Sequence, residues 1–342
     1  MESNPSAEAR GAKSRPYSRH AWPVGRGLIS IGLLAALLYW QSIDLHALTA
    51  LGNEFWMVIA AGVLICLTVP LGALRWLLEL RLVGVALPFV PVFHIQCIAT
   101  SLNQILFGPT SGDAIRGVYA WRWLRRGGAR IATSLMVDRA FGLLGLIVLA
   151  FVLTALKWQR VQQVPQLMVL GWSLAACLAG GLAGCVALLV APELLSRLRA
   201  ILRRYQRVDP LLARAQEGFT AFRRRPVLLA GAFCLSLLGH CMILLAFVVI
   251  ANILQIGSLT SLDYAIAALL ALVANMLPFT PGGLGVGEAA FDQLCRWIEP
   301  ISSAAPYASI FFAFRAVSML TLLLGLTSFV AYQNNADHIG GP

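Results

Sequence analysis

The stretch Asn275-Met-Leu-Pro278-Phe-Thr-Pro281-Gly282-Gly283-Leu-Gly285-Val-Gly287-Glu288 sits inside an apolar run that extends from Leu269 to Trp297. It starts like a spanning helix and then meets two prolines and four glycines within ten residues. Each proline removes an N–H and clashes with the preceding turn, so the helix has to break there. Lipid offers no partner to the backbone groups set free. A break at this depth is therefore expected to be buried in protein or to line a wet cavity. Discontinuous helices of this kind form the binding sites of many transporters.

An earlier stretch repeats the pattern. Asn103-Gln-Ile-Leu-Phe107-Gly108-Pro109-Thr-Ser-Gly112-Asp113 has the same Asn, Phe and Pro as Asn275, Phe279 and Pro281. Further on, Ala129, Ala132, Arg139 and Ala140 are matched by Ala305, Ala308, Arg315 and Ala316. The first set is offset by 172 (Asn103 to Asn275) and the second by 176 (Arg139 to Arg315), so one short insertion aligns both. The reading is an internal duplication.

Composition places both stretches in a membrane. The chain has 342 residues, 59% of them hydrophobic and 12% charged, against roughly 25% charged in soluble domains. The net charge of +11 does not point to nucleic acid, because of where the basic residues lie. The seven cysteines are scattered through apolar runs without a CxxC pair, and they read as small core residues rather than as disulfides or metal ligands. No HExxH, P-loop or GxSxG pattern occurs, so neither a cofactor nor a catalytic step is expected. The histidines, His240 among them, show no ligand spacing and read as satisfied core or surface groups.

Hydropathy divides the chain into a basic tail at 1–26, a first repeat at 27–157, a second repeat at 158–332 and a short polar tail at 333–342. Spans are expected near Gly27–Trp40, Phe55–Leu78, Ile131–Leu156, Leu167–Val190, Val227–Ile253 and Ala304–Tyr332, with broken segments at 88–112 and 262–297. A basic, aromatic helix is expected from Asp113 to Arg126. Between Pro192 and Arg225 an amphipathic hairpin has Leu194, Leu195, Leu198, Ile201, Leu202 and Tyr205 on one face and five arginines on the other. It is expected to lie on the anionic inner leaflet, each basic residue contributing about 1 kcal/mol.

Charge placement then fixes the topology. If neither broken segment crosses, the tail, a loop near Arg75 and Arg81, the 113–130 helix and the 192–225 hairpin all face the cytoplasm. Together they hold 21 of the 26 Lys and Arg residues. A full crossing at Pro88–Pro109 would export the nine arginines of the hairpin, against the positive-inside rule. The fold expected is an all-α polytopic membrane protein of six transmembrane helices plus two re-entrant broken-helix hairpins in an inverted repeat. Both termini would be cytoplasmic, in a bacterial or archaeal inner membrane.

Ionisable residues inside spans need partners and mark functional sites by default. Arg315, Asp138 and Arg139 qualify, with Asp113, Asp138, Glu288 and Asp292 as partners for the arginines. For Asp138 and Arg139, structural ion pairing and substrate contact both remain open. Gly282, Gly283, Gly285 and Gly287, with Gly108 and Gly112, permit tight turns. Their amides at half-helix N-termini could hold an anionic headgroup, or the glycines could serve close helix packing.

The runs Gly-Pro-Thr-Ser-Gly112-Asp113-Ala-Ile-Arg116, Asp138-Arg139 with Gly142, Pro278-Phe-Thr-Pro281-Gly-Gly283-Leu-Gly285-Val-Gly287-Glu288, and Arg315 resemble the lysylphosphatidylglycerol synthase transmembrane, flippase-like family. The resemblance covers nearly the whole chain after the tail. It implies movement of aminoacylated or glycosylated anionic lipids between leaflets, with Asp113, Arg116, Asp138, Arg139, Glu288 and Arg315 as headgroup or gating residues. Bifunctional members carry a soluble aminoacyl-transfer domain after the membrane unit, and this chain stops about ten residues past span six. Synthesis of an aminoacyl lipid is therefore not expected. Aminoacyl-phosphatidylglycerol, a polyprenyl-phosphate-linked sugar, a cardiolipin-like phospholipid and a hopanoid-type lipid all remain open as substrates.

The expected activity is thus a lipid flippase-like transporter whose substrate- or gate-lining residues include Asn103, Asn275, Pro281, Gly282, Gly283 and Gly285. Arg139 and Arg315 would offset the headgroup charge, paired with Asp138 and Glu288 in the empty state. The rival readings are a membrane-embedded transferase with Glu288 or Asp113 as general base, and a scaffold that recruits a lipid-modifying enzyme. The expected partners are membrane lipids with anionic headgroups, the inner leaflet at 192–225 and such an enzyme, with no role for nucleic acid.

Overall fold

The structure is a computed structural model that describes residues 32, 35–37, 39, 43–105, 109–124, 127–202, 224–275, 280, 283–299 and 305–339. Every regular element among them is a helix. Apart from single turns, these are α1 (Phe55–Leu82), α2 (Phe89–Ile105), α3 (Pro109–Leu124), α4 (Gly128–Leu156), α5 (Pro165–Leu202), α6 (Pro226–Leu254), α7 (Ser261–Asn275), α8 (Val286–Ile298), α9 (Ala308–Ser318) and α10 (Thr321–Ile339). Helix is what a long apolar sequence must adopt in lipid, since it satisfies the backbone within one segment. Five segments are long and apolar enough to cross a bilayer: α1, α4, the 165–184 part of α5, α6, and α9 with α10 as far as Tyr332. They coincide with five of the six expected spans. The remaining one, Gly27–Trp40, lies mostly outside the described residues, and the 1–26 tail and 203–223 of the basic hairpin lie wholly outside them.

Three boundaries differ from the sequence reading. α1 continues to Leu82, so Arg75 stands inside the helix and not in a loop. An apolar helix can carry it there because Asp138 of α4 supplies the counter-charge, 2.6 Å away. α5 runs through Pro192 to Leu202 instead of stopping at Val190. The last span is split: α9 ends at Ser318, and a turn at Met319–Leu320 separates it from α10. Ser101 of α2 donates a hydrogen bond to the Thr321 carbonyl just past that turn, at 2.8 Å.

α1 also contains Pro70, and it packs along α6, the most extensive helix–helix packing among the described residues. Around them α2 packs on α3 and α7 on α8, two helical hairpins whose arms are 13 to 17 residues long. At 1.5 Å per residue such arms reach about 20 to 25 Å, short of a 30 Å hydrocarbon core. The open ends of the hairpins lie at opposite ends of α1. Trp76, Leu77 and Leu80 near its C-terminus pack with Val92 of α2, Ala120 of α3 and Ile131 of α4. Ala61 and Ile65 near its N-terminus pack with Ala267 of α7, Leu294 of α8 and Tyr307 at the start of α9. The outward faces keep large apolar groups such as Trp56, Met136, Leu245 and Leu326 exposed, as helices solvated by lipid should.

At the mouth of the second hairpin, Lys157 donates hydrogen bonds to Asp263 (2.9 Å) and to the Thr260 hydroxyl (2.8 Å). Burial pushes the Asp263 carboxyl up, but the hydrogen bonds from Thr260 and Lys157 outweigh it and leave it below the usual carboxylate range. Stability from this contact is present above the ordinary carboxylate pKa of about 4 and is lost as pH falls through the depressed value. Replacing Asp263 by Asn should flatten the acid limb of a thermal-denaturation profile measured against pH.

Close backbone approach makes a second prediction. A Cβ on Gly325 of α10 would lie 1.9 Å from Ser101 Oγ and 2.4 Å from Ser101 Cβ. Gly325→Ala should therefore cost about 1 to 3 kcal/mol in detergent stability. Adding Ser101→Gly should recover part of that loss.

Candidate functional site

The second broken segment is held by one buried ion pair. α7 ends at Asn275, and Gly285, at φ 83°, caps the start of α8. Three residues on, Glu288 accepts the Gly285 N–H at 2.9 Å. Its other oxygen accepts a hydrogen bond from Arg315 Nε of α9 at 2.7 Å. Glu288 is fully buried and Arg315 is 8% exposed. The guanidinium also donates to the carbonyl of Gly283 (3.2 Å) and to Asn275 Oδ1 (3.3 Å), so a single arginine ties α7, the break, α8 and α9 together. Phe311, Phe247, Phe291 and Phe314 pack beside it, with Arg315 over the Phe311 ring at 5.7 Å.

The first broken segment reproduces this arrangement with different side chains. Asp113, in the second turn of α3, pairs with Arg139 of α4. Asp113 and Glu288 are both preceded by a glycine that faces the repeated asparagine. A Cβ on Gly112 would fall 2.6 Å from the Asn103 amide, and one on Gly287 would fall 3.0 Å from Asn275 Oδ1 and 2.6 Å from the Phe311 ring. The Gly112 N–H donates to Asn103 Oδ1 at 2.7 Å. The amides of Gly112 and Gly285 are thus both engaged within the protein, while Gly283 contributes its carbonyl.

The first segment differs in scale. Asp138 pairs not with Arg139, as the sequence suggested, but with Arg75 of α1 (2.6 Å) and Arg116 of α3 (2.9 Å). One residue apart on a helix, Asp138 and Arg139 point about 100° away from each other, so they face different neighbours. Arg116 bridges Asp113 and Asp138 and lies 5.4 Å from the centre of the Trp76 ring. Among the other expected partners, Asp292 pairs with Arg296, one turn along α8. His240 meets the Gly142 carbonyl at 2.8 Å, as a satisfied core histidine should. His94 departs from that reading, because its Nδ1 is buried without a hydrogen-bond partner.

Between the two breaks lies a cavity of about 270 Å³. Asn103 and Asn275 both line it, with Gln104, Arg315, Ser318 and Thr321 among the other polar groups. Ile65 and Thr68 of α1, Ile243, Leu272, Phe311 and Phe314 complete the wall. Asp113, Arg116, Asp138 and Arg139 are absent from that lining and form a separate cluster beside it. Pro281 and Gly282, together with Pro278, Phe107 and Gly108, lie outside the described residues. The chemistry available at the cavity is that of hydroxyl and amide groups around one guanidinium already neutralised by a carboxylate. That arrangement can bind and release a polar group. No set of three or more metal-ligating acids, His or Cys occurs among the described residues.

Sequence reasoning missed Arg75, Glu79, Gln96 and Gln104. Arg75 and Glu79 could have been found, since an i, i+4 charged pair inside a run as apolar as Phe55–Leu82 is itself a signal of a buried polar network.

The family model described as the lysylphosphatidylglycerol synthase TM region covers residues 27–326. No curated protein matches the chain.

Removing one partner of a buried ion pair strands the other charge and costs about 3 to 5 kcal/mol. Arg315→Ala should therefore lower the detergent melting temperature far more than Arg139→Ala, because the Arg139 side chain is 33% exposed and Asp113 keeps Arg116. The Glu288→Gln and Arg315→Ala double variant should be less impaired than the sum of the single ones, which thermal melts of the four proteins would read out.

Proposed function

The chain belongs to the family of lysylphosphatidylglycerol synthase TM regions, and on that premise we propose that it is a lipid transporter that passes polar headgroups between leaflets through the central cavity. The observation that carries this reading is that the repeated asparagines, Asn103 and Asn275, stand at or near the ends of the first arms of two separate hairpins and line the same cavity. A duplicated motif that converges on one polar chamber suits alternating access from two sides. The substrate class is an anionic or modified lipid (aminoacyl-, glyco- or polyprenyl-phosphate-linked), whose acyl chains stay in the bilayer while the headgroup crosses.

The matching architecture is six spans and two re-entrant hairpins in an inverted repeat, in a cell inner membrane with both termini cytoplasmic. It is supported by the short hairpin arms, by their open ends at opposite ends of α1, and by the recurrence of Asp113–Arg139 as Glu288–Arg315. In the cycle, the asparagine and hydroxyl groups replace headgroup water. Arg315 turns its Nη groups to a phosphate while its Nε stays on Glu288. No group transfer is assigned to the chain. A membrane-embedded transferase would need Glu288 or Asp113 free to act as a base, whereas each is held by an arginine.

The test is headgroup accessibility of fluorescent aminoacyl- and glyco-lipid analogues in proteoliposomes. The wild type should accelerate crossing. Leu272→Trp, which fills the cavity without touching a charge, should slow it by roughly tenfold, about 1.4 kcal/mol on the barrier. Equal rates with empty vesicles for every analogue would overturn the transport reading.

A further inference from the structure

Glu79 is a buried acid that the transport path described above does not use. It lies near the C-terminal end of α1, is 0% exposed, and neither of its carboxylate oxygens accepts a hydrogen bond. Its nearest cation is Arg75 of the same helix, whose Nε stands 4.0 Å away. That guanidinium is already committed. It donates to Asp138 Oδ1 from Nε at 2.8 Å and lies 2.6 Å from it through Nη2, and it donates to the Ser236 hydroxyl at 3.1 Å. The other charged groups acting on Glu79 are Asp138 from α4, which is near enough to accept a proton that Glu79 carries, and Arg116 from α3. From α6, His240 is engaged with the Gly142 carbonyl. An ionised carboxylate sealed from water with no hydrogen bond is among the costliest arrangements a protein can hold, and a neutral carboxylic acid at the same place is not.

We infer that Glu79 is a proton-binding site that couples lipid crossing to the proton gradient, an inference that rests on the transport reading. In the state described, Glu79 carries the proton. The cluster then holds two carboxylates, Asp113 and Asp138, against three guanidiniums, Arg75, Arg116 and Arg139. It has a net charge of +1 and attracts an anionic headgroup. When the proton leaves a Glu79 oxygen for water, the cluster becomes neutral and the new carboxylate competes with Asp138 for Arg75. One guanidinium cannot keep its bidentate hold on Asp138 and also pair closely with Glu79, so the clasp between α1 and α4 loosens. The change has a route to the cavity. Arg116, held by Asp138, donates to Gln96 Oε1 at 3.3 Å. Gln96 donates to the Thr100 hydroxyl at 3.3 Å, and Thr100 is part of the cavity wall.

Two measurements on the full-length purified chain test this. The first is infrared spectroscopy at neutral pH. A protonated-carboxyl stretch present in the wild type and missing from Glu79→Gln supports the proton site, and identical spectra overturn it. The second is the steady-state distribution of the lipid analogue in proteoliposomes under an imposed pH step. One proton per lipid allows up to about tenfold accumulation per pH unit, the equivalent of 1.36 kcal/mol. The wild type should follow the step, while Glu79→Gln, which mimics the protonated acid and should fold, should equilibrate the analogue without following it. Gradient-driven accumulation by Glu79→Gln, or a wild type that crosses lipid yet ignores the step, overturns the coupling. A wild type that moves no lipid at all sinks the transport reading and the coupling with it, and the infrared band still reports separately whether Glu79 holds a proton.

Discussion

A carboxylate near the start of a half-helix, gripped by an arginine from the next span, is the interaction on which this architecture depends. Breaking a helix in lipid exposes backbone groups that water cannot reach, and something inside the protein must take them up. Glu288 takes the Gly285 amide and Arg315 takes the Gly283 carbonyl, so one ion pair satisfies backbone groups where the break runs into α8. The aromatic shell of Phe247, Phe291, Phe311 and Phe314 helps bury the pair, which strengthens it and makes its loss expensive. The glycines belong to the same solution: at 287 a side chain would strike Phe311, and at 112 it would strike Asn103.

The two halves put this device to different uses. In the second half it is a single pair within one hairpin and its neighbouring span. In the first half Asp113 and Arg139 are drawn into a larger network that reaches α1 through Arg75 and holds Glu79 beside it. The first network stands off the cavity, while Arg315 lines it. One network thus faces the cavity directly, and the other reaches its wall through Gln96 and Thr100 of α2.

Much of this was legible in the sequence because membrane helices and broken helices follow from local chemistry. Apolar length located α1, α4, α6 and the last span, and the prolines and glycines located both breaks. Even the pairing of Glu288 with Arg315 followed from the rarity of charge in lipid. The assignment of Asp138 to Arg139 did not, because adjacent residues on a helix diverge and the true partners, Arg75 and Arg116, come from two other helices. The spacing of Glu79 from Arg75 was a readable signal, but its complete burial was not. Three residues before the end of α1, it reads as an interfacial acid until the surrounding helices are seen to seal it. The turn at Met319–Leu320 also left no mark, since neither residue breaks helices and the interruption is fixed by tertiary contacts such as Ser101 with Thr321.

That turn has a mechanical meaning. α9 answers to α6 and α8, while α10 answers to α2, so a single span is meshed with one hairpin above the turn and with the other below it. A helix advances about 100° per residue. Adding or deleting one residue at 319–320 would rotate one set of teeth against the other and throw both hairpins out of gear at once. The length of this unremarkable dipeptide is therefore more tightly constrained than its composition: many residues could stand at Met319 or Leu320, but only two of them fit.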